Sequence, residues 1–145
     1  MLRGNYLARV DEKGRVKIPA DFLAELRKSG TKFYVTSDNG EYALIYPMKV
    51  WEEKEKILAK LSSHSRAKQR YLARTNYYGQ VVEVDGQGRI LIPPVLRESA
   101  RMKGEVDVQG YLTYLQVWNH AQFLEQLKRN PITTEDEKEL DEQGI

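Results

Sequence analysis

A nine-residue segment occurs twice in this 145-residue chain, and the repetition constrains the fold more than any other feature. Asp11-Glu12-Lys13-Gly14-Arg15-Val16-Lys17-Ile18-Pro19 returns 74 residues on as Asp85-Gly86-Gln87-Gly88-Arg89-Ile90-Leu91-Ile92-Pro93. Asp, Gly, Arg, Ile and Pro keep their places, and Val16 is matched by Ile90. Leu44-Ile45-Tyr46 followed by Trp51 is answered 72 residues on by Gln116-Val117-Trp118 followed by Phe123. The shorter second spacing is what a loop deletion leaves. Two copies are too few for a solenoid, but they suit two halves packed about a pseudo-twofold axis.

Each copy reads as the same series of elements. Strand one is Tyr6–Val10, or Gln80–Val84 in the second copy. In the tight turn that follows, the Asp side chain bonds its own backbone, and Gly14 or Gly88 takes positive φ. This is the chemistry of a hairpin with a type I turn and a glycine bulge. Strand two, Arg15–Ile18 or Arg89–Ile92, turns Val16 and Ile18 inward and Arg15 and Lys17 outward. Pro19 or Pro93 stops it and opens a short helix; Phe22, Leu23 and Leu26 mark the apolar face of the first, which Ser29-Gly30 ends. A second hairpin pairs Lys32–Thr36 with Tyr42–Tyr46 around Asp38-Asn39-Gly40, and Glu105–Gln109 with Tyr114–Trp118. Pro47 and Asn119 begin the next helices. Between the copies the pattern predicts a helical connector, Met48–Leu61 and Arg66–Arg74, broken at Ser62-Ser63-His64-Ser65. The fold class expected is therefore α+β, mainly β. The divisions are residues 5–52 (first domain), 53–79 (connector), 80–123 (second domain) and 124–145 (helix end and acidic tail).

Composition closes most enzymatic routes. There is no cysteine, which removes disulfides, thiol nucleophiles and thiolate metal sites. The two histidines, His64 and His120, are far apart. No phosphate-binding loop occurs, and Gly86-Gln87-Gly88 fails as a dinucleotide fingerprint because Leu91 stands where the third glycine belongs. No apolar run approaches the roughly 20 residues of a membrane span, and charged residues interrupt the N-terminus before a secretory signal could form. These observations lead us to expect neither catalysis nor a metal, cofactor, small-molecule substrate or membrane, and a location in the cytoplasm.

The net charge of +2 conceals an uneven distribution. Residues 131–145 hold six acidic residues and one lysine, and read as a solvated or frayed terminus. Residues 1–130 hold 22 basic and 15 acidic residues. The basic excess favours the first copy. Residues 1–17 carry Arg3, Arg9, Lys13, Arg15 and Lys17 against Asp11 and Glu12, whereas residues 75–91 carry only Arg89 against Glu83 and Asp85. A turn that served structure alone would need no such dressing. A two-stranded ribbon tipped with Arg and Lys has the width to enter a DNA major groove. The first copy is therefore the candidate nucleic-acid edge. Asp11, Gly14, Asp85, Gly88 and Arg89 read as turn-building residues. Arg66, Arg70 and Arg74 form a second basic face on the connector, open to phosphate or to an acidic partner.

With these residues in place, the chain resembles the MraZ family, bacterial transcriptional regulators built from two AbrB/SpoVT-like halves. The resemblance spans about Met1 to Arg129. It rests on Arg3-Gly4, the twin motifs Asp11/Arg15 and Asp85/Arg89, the run Gly88–Arg97, and Tyr46-Pro47 with Trp51. It implies tandem swapped-hairpin halves that form an intramolecular pseudo-dimeric barrel, with linker and C-terminal helices, and homo-oligomeric rings that bind short direct repeats in double-stranded DNA. The repeats lie upstream of the family's own operon, in the division and cell-wall gene cluster, and binding controls that operon, most simply by repression. It also implies association with the nucleoid. The family's DNA-contact loop falls on Asp11–Arg15, with Arg15 the foremost contact; Lys13, Lys17, Arg3 and Arg9 are added from charge. Two other readings stay open: an antitoxin-like AbrB repressor, and a ring-forming scaffold that binds no DNA.

Overall fold

Along the second strand of each repeat and the residue that follows it, Val16, Ile90 and Ile92 are fully buried and Ile18 nearly so, while Lys17 faces solvent. Alternation of this kind makes one sheet face a core and leaves the other for charge. The computed structural model describes residues 1–145. In chain order the elements are β1 (Asn5–Val10), β2 (Arg15–Lys17), α1 (Ala20–Arg27), β3 (Lys32–Thr36), β4 (Ala43–Pro47), α2 (Met48–Lys60) and α3 (Arg66–Tyr77). Then come β5 (Gln80–Glu83), β6 (Arg89–Leu91), α4 (Pro94–Ser99), β7 (Gly104–Tyr111), β8 (Tyr114–Asn119), α5 (His120–Arg129) and α6 (Thr134–Glu142). The fold is α+β, dominated by antiparallel strands, as its alternating sequence leads one to expect.

All eight strands form one antiparallel sheet in the order β5-β3-β4-β8-β7-β1-β2-β6. Its two edges, β5 and β6, are consecutive in the chain, so the sheet curls into a nearly closed barrel. Most of the ladder joins one copy to the other. β1 pairs with β7 as β5 pairs with β3, and β2 pairs with β6 as β4 pairs with β8. Val16 lies opposite Ile90, and Leu44 opposite Gln116, each the repeat counterpart of its partner. Exchanging the copies therefore returns the same pairing pattern except at the β1–β2 contact, whose counterparts β5 and β6 are the sheet edges. A core of 20 buried residues, drawn from both copies, fills the barrel and is closed by Phe22, Leu23 and Leu26 of α1 and Leu96 of α4. A smaller apolar cluster, Leu44, Tyr46 and Trp51, fixes α2 to the outside; Trp51 stacks on Tyr34 with ring centres 4.7 Å apart.

Several boundaries differ from the sequence reading. β4 occupies Ala43–Pro47 where Tyr42–Tyr46 was expected, and α2 starts at the expected Met48. α3 extends to Tyr77, beyond Arg74, because Tyr34 and Thr36 bind the Thr75 carbonyl and hold its last turn to the sheet. The acidic tail corrects the expectation of a frayed end. It holds α6, capped by Thr133, although all of its residues are exposed. No helix is long and apolar enough to cross a membrane.

Candidate nucleic-acid interface

The first turn is built by Asp11. Its Oδ1 accepts the N–H groups of Lys13 and Arg15 at 3.0 and 2.9 Å, and Gly14 closes the bend with φ of +82°. Asp85 does the same for Gln87 and Arg89, both at 2.9 Å, and Gly88 has φ of +76°. Positive φ costs a side-chain-bearing residue energy that glycine avoids, so the Asp and Gly of each repeat are demands of the bend. The turns also knit to each other. Ile18 N–H donates to the Gly88 carbonyl and Ile92 N–H to that of Gly14, both at 2.9 Å.

Above this frame the motif side chains form a quartet of charges. Arg15 Nε donates to Asp11 Oδ2 and Arg89 Nε to Asp85 Oδ2, each at 3.0 Å. The outer guanidinium nitrogens cross over: Arg15 Nη1 lies 3.7 Å from Asp85 Oδ2, and Arg89 Nη1 lies 3.5 Å from Asp11 Oδ2. Arg15 and Arg89 side chains are 28% and 26% exposed. Hydrogen bonds from the Arg15 and Arg89 backbone N–H groups, foremost, hold the Asp11 and Asp85 carboxyls below the usual carboxylate range. An arginine carries five N–H donors in a planar fork. The carboxylates fix that fork while leaving donors on its outer edge.

The ribbon thus differs in composition from a simple hairpin. β1 meets β2 only at Val10 and Val16, while on its other edge it pairs along six residues with β7. The two-stranded ribbon is β2 with β6, where Lys17 stands opposite Arg89 and Arg15 opposite Leu91. Lys13 is exposed at the first turn, Lys17 on β2 and Arg9 on β1, where Arg9 Nη1 lies 3.9 Å from Glu105. Arg3 lies elsewhere. It precedes β1, whose six residues at about 3.3 Å each separate it from the turn by roughly 20 Å. The two turns share one geometry and differ in dressing. Arg9, Lys13 and Lys17 correspond to Glu83, Gln87 and Leu91.

One contributor escaped the sequence reading. Arg97 of α4 donates its Nε to the Ile92 carbonyl at 2.9 Å and lies over Gly14, where a Cβ would fall 2.2 Å from its guanidinium carbon. Its repeat counterpart, Leu23, lies over Gly88, where a Cβ would fall 2.8 Å from Cδ2. The signal was available in the Leu23/Arg97 mismatch, which is the point where the two helices depart from each other. Each helix thus covers the turn of the other copy.

Comparison with known proteins accords with this architecture. The chain matches the family described as "MraZ protein, putative antitoxin-like" over residues 1–74 and 79–144. The chain belongs to the MraZ family. The match includes the acidic tail, beyond the Arg129 limit set by the sequence resemblance. A protein named transcriptional regulator MraZ from Acidobacterium capsulatum is 49% identical over 146 residues, covering all of both chains. Its namesake from Koribacter versatilis is 50% identical over 147 residues, again covering both completely. The MraZ protein of Moorella thermoacetica is 40% identical over 126 residues, or 86% of this chain and 85% of its own.

Proposed function

We propose that this chain is a sequence-specific DNA-binding transcriptional regulator that grips DNA through the paired turns. The observation that carries the reading is the quartet: two arginines held by two aspartates at the tip of a ribbon whose first turn alone is dressed with Lys13, Lys17 and Arg9. The quartet is neutral in sum, so the attraction to phosphate comes from the dressing. The Arg15 fork, pre-positioned by Asp11 and Asp85, supplies donors toward a guanine edge or phosphate with little rotamer freedom left to lose. Arg89 has the same partners, but its own turn carries Gln87 and Leu91 where the first carries Lys13 and Lys17. Arg3, at the far end of β1, lies outside this face.

The resemblance to MraZ and the names of the relatives give the reading its biological form. Several copies, arranged as a homo-oligomeric ring, bind direct repeats upstream of the division and cell-wall gene cluster and repress their own operon, in the cytoplasm at the nucleoid. A single subunit with a few basic contacts binds weakly at cellular salt, since counterion release provides most of the affinity. Copies on successive repeats make later contacts intramolecular, with gains of about 10²–10⁴.

A mobility shift on DNA upstream of the protein's own gene tests the reading, with wild type beside Arg15→Ala across a salt series. Discrete shifts on repeat-containing DNA, absent on scrambled DNA, should weaken in the variant by about 1–3 kcal/mol per engaged subunit. Equal losses on both DNAs would reduce Arg15 to a phosphate contact. Indifference of both proteins to all DNA would leave the turn structural and favour a scaffold.

A further inference from the structure

The acidic C-terminal helix forms without visible support from its own chain. Thr133 Oγ1 accepts the Asp136 N–H and the Asp136 carboxylate accepts the Thr133 N–H, both at 3.0 Å. Beyond this capping box, little holds α6. It is nine residues long, and isolated helices shorter than about 12–15 residues are marginal in water. Asp141 and Glu142 stand at its C-terminal end, where the helix dipole disfavours negative charge, and the last turn holds no basic residue. Each residue of α6 is exposed. A helix so placed needs a packing partner, and its own surface describes one. Leu140 is preceded by Asp136 and Glu137 at i−4 and i−3, which lie to either side of it on one face. Ile145, also exposed, closes back onto the same turn through its N–H to the Leu140 carbonyl at 2.9 Å.

A surface of opposite character lies between α2 and α3. It is an open groove of about 340 Å³ with an apolar wall that includes Ile57, Leu58, Leu61 and Tyr71. Ile57 is 66% exposed and Leu61 45%, a high exposure for neighbouring aliphatic side chains. Lys54 and Lys68 stand among the groove's lining residues. Lys68 Nζ is anchored on the Leu61 carbonyl at 3.0 Å, and Lys54 Nζ lies 5.7 Å from the Tyr46 ring centre, so both positive ends are positioned. α3 contains no acidic residue, and it adds the exposed Arg66, Arg70 and Arg74 alongside. The groove reads lysine–apolar–lysine where α6 reads acid–apolar–acid.

We propose that α6 of one chain docks in the α2–α3 groove of a second copy, with Leu140 in the apolar floor and Asp136 and Glu137 facing the two lysines. Within one chain the helix is exposed throughout and the groove is open, so the complementary pair remains unused until copies meet. The contact is independent of the DNA reading and is tested without DNA.

The absence of native cysteine makes the test clean. Ile57→Cys and Leu140→Cys are introduced into separate full-length chains, one isotopically labelled, which are mixed under mild oxidation. Mass spectrometry should find a disulfide joining the labelled and unlabelled chains, several-fold more than when Val81→Cys, on exposed β5, replaces Ile57→Cys. Lys68→Glu in the groove chain should lower the yield several-fold, and Glu137→Lys in the helix chain should restore it. Yields equal to the Val81→Cys control, or unaffected by Lys68→Glu, would overturn the proposal. So would a chain carrying both cysteines that links only within itself, which would assign the groove to its own tail.

Discussion

Gly14 illustrates how one backbone angle supports the whole turn face. A Cβ there would suffer twice, once from φ of +82° and once from the Arg97 guanidinium 2.2 Å away. Gly14→Ala should therefore cost about 1–2 kcal/mol for the left-handed conformation, more if Arg97 cannot yield. Gly86→Ala, at a site with nothing within 4 Å and no positive φ, should be close to neutral. Urea unfolding of both variants decides the matter, and equal midpoints would deny the turn its assigned role. The aspartates add a pH dependence of definite sign. Because the folded Asp11 and Asp85 carboxyls titrate below the ordinary aspartate range, their contribution is complete above that range and is lost as pH falls through the lower folded value. Thermal melts should show Asp11→Asn/Asp85→Asn less stable than wild type at neutral pH, with the gap narrowing below about pH 4. A constant gap would mean that charge is irrelevant there. The Asp and Gly positions were legible in the sequence because a turn makes demands within five residues. The crossed pairs of the quartet were not, since Asp11 and Arg89 meet only after β2 and β6 pair across the chain.

At the scale of elements, local patterns located nearly every strand and helix and the hairpins β3–β4 and β7–β8, while the register between strands of different copies stayed hidden. Alternation in Arg15–Ile18 indicates a strand with one buried face, but it is silent about which edge that strand joins. The structure gives β2 to β6, so the outward surface of the ribbon combines two copies with different dressing. α6 was legible in principle. Thr133 and Asp136 have the spacing of a capping box, but the density of acidic residues argued for a solvated end. The mixed ribbon leads to a prediction that distinguishes shape from charge. If the second turn already has the geometry of the first and lacks only its cations, Gln87→Lys with Leu91→Lys should strengthen binding to any DNA. The salt dependence should steepen by about one in log–log slope for each added phosphate contact. Filter binding at several salt concentrations measures that slope. An unchanged slope would place the second turn away from the DNA backbone, and the asymmetry of the molecule would then lie in orientation, with charge a consequence.

The whole molecule joins a two-copy barrel, which presents one mixed ribbon, to helices that leave complementary surfaces outside it. On the proposed reading, a ribbon formed by a single three-residue ladder offers few base contacts, and the arrangement of subunits supplies what the individual contacts lack. If neighbouring copies are held at fixed separation, a second DNA repeat binds at high effective concentration only when its groove faces the next ribbon. Spacing therefore becomes part of recognition. Inserting about 5 base pairs, half a helical turn, between two repeats rotates the second to the opposite side of the duplex. Affinity should fall toward that of a single repeat, forfeiting the gain of about 10²–10⁴ that linkage provides. Inserting about 10 base pairs returns the groove to the same side at greater distance, and should recover part of the loss. Competition shifts against a single-repeat duplex measure both. Affinity that ignores both insertions would show that each subunit reads its repeat alone. Recovery at about 10 base pairs, with loss at 5, would locate specificity in the geometry of the assembly as much as in the arginine at its tip.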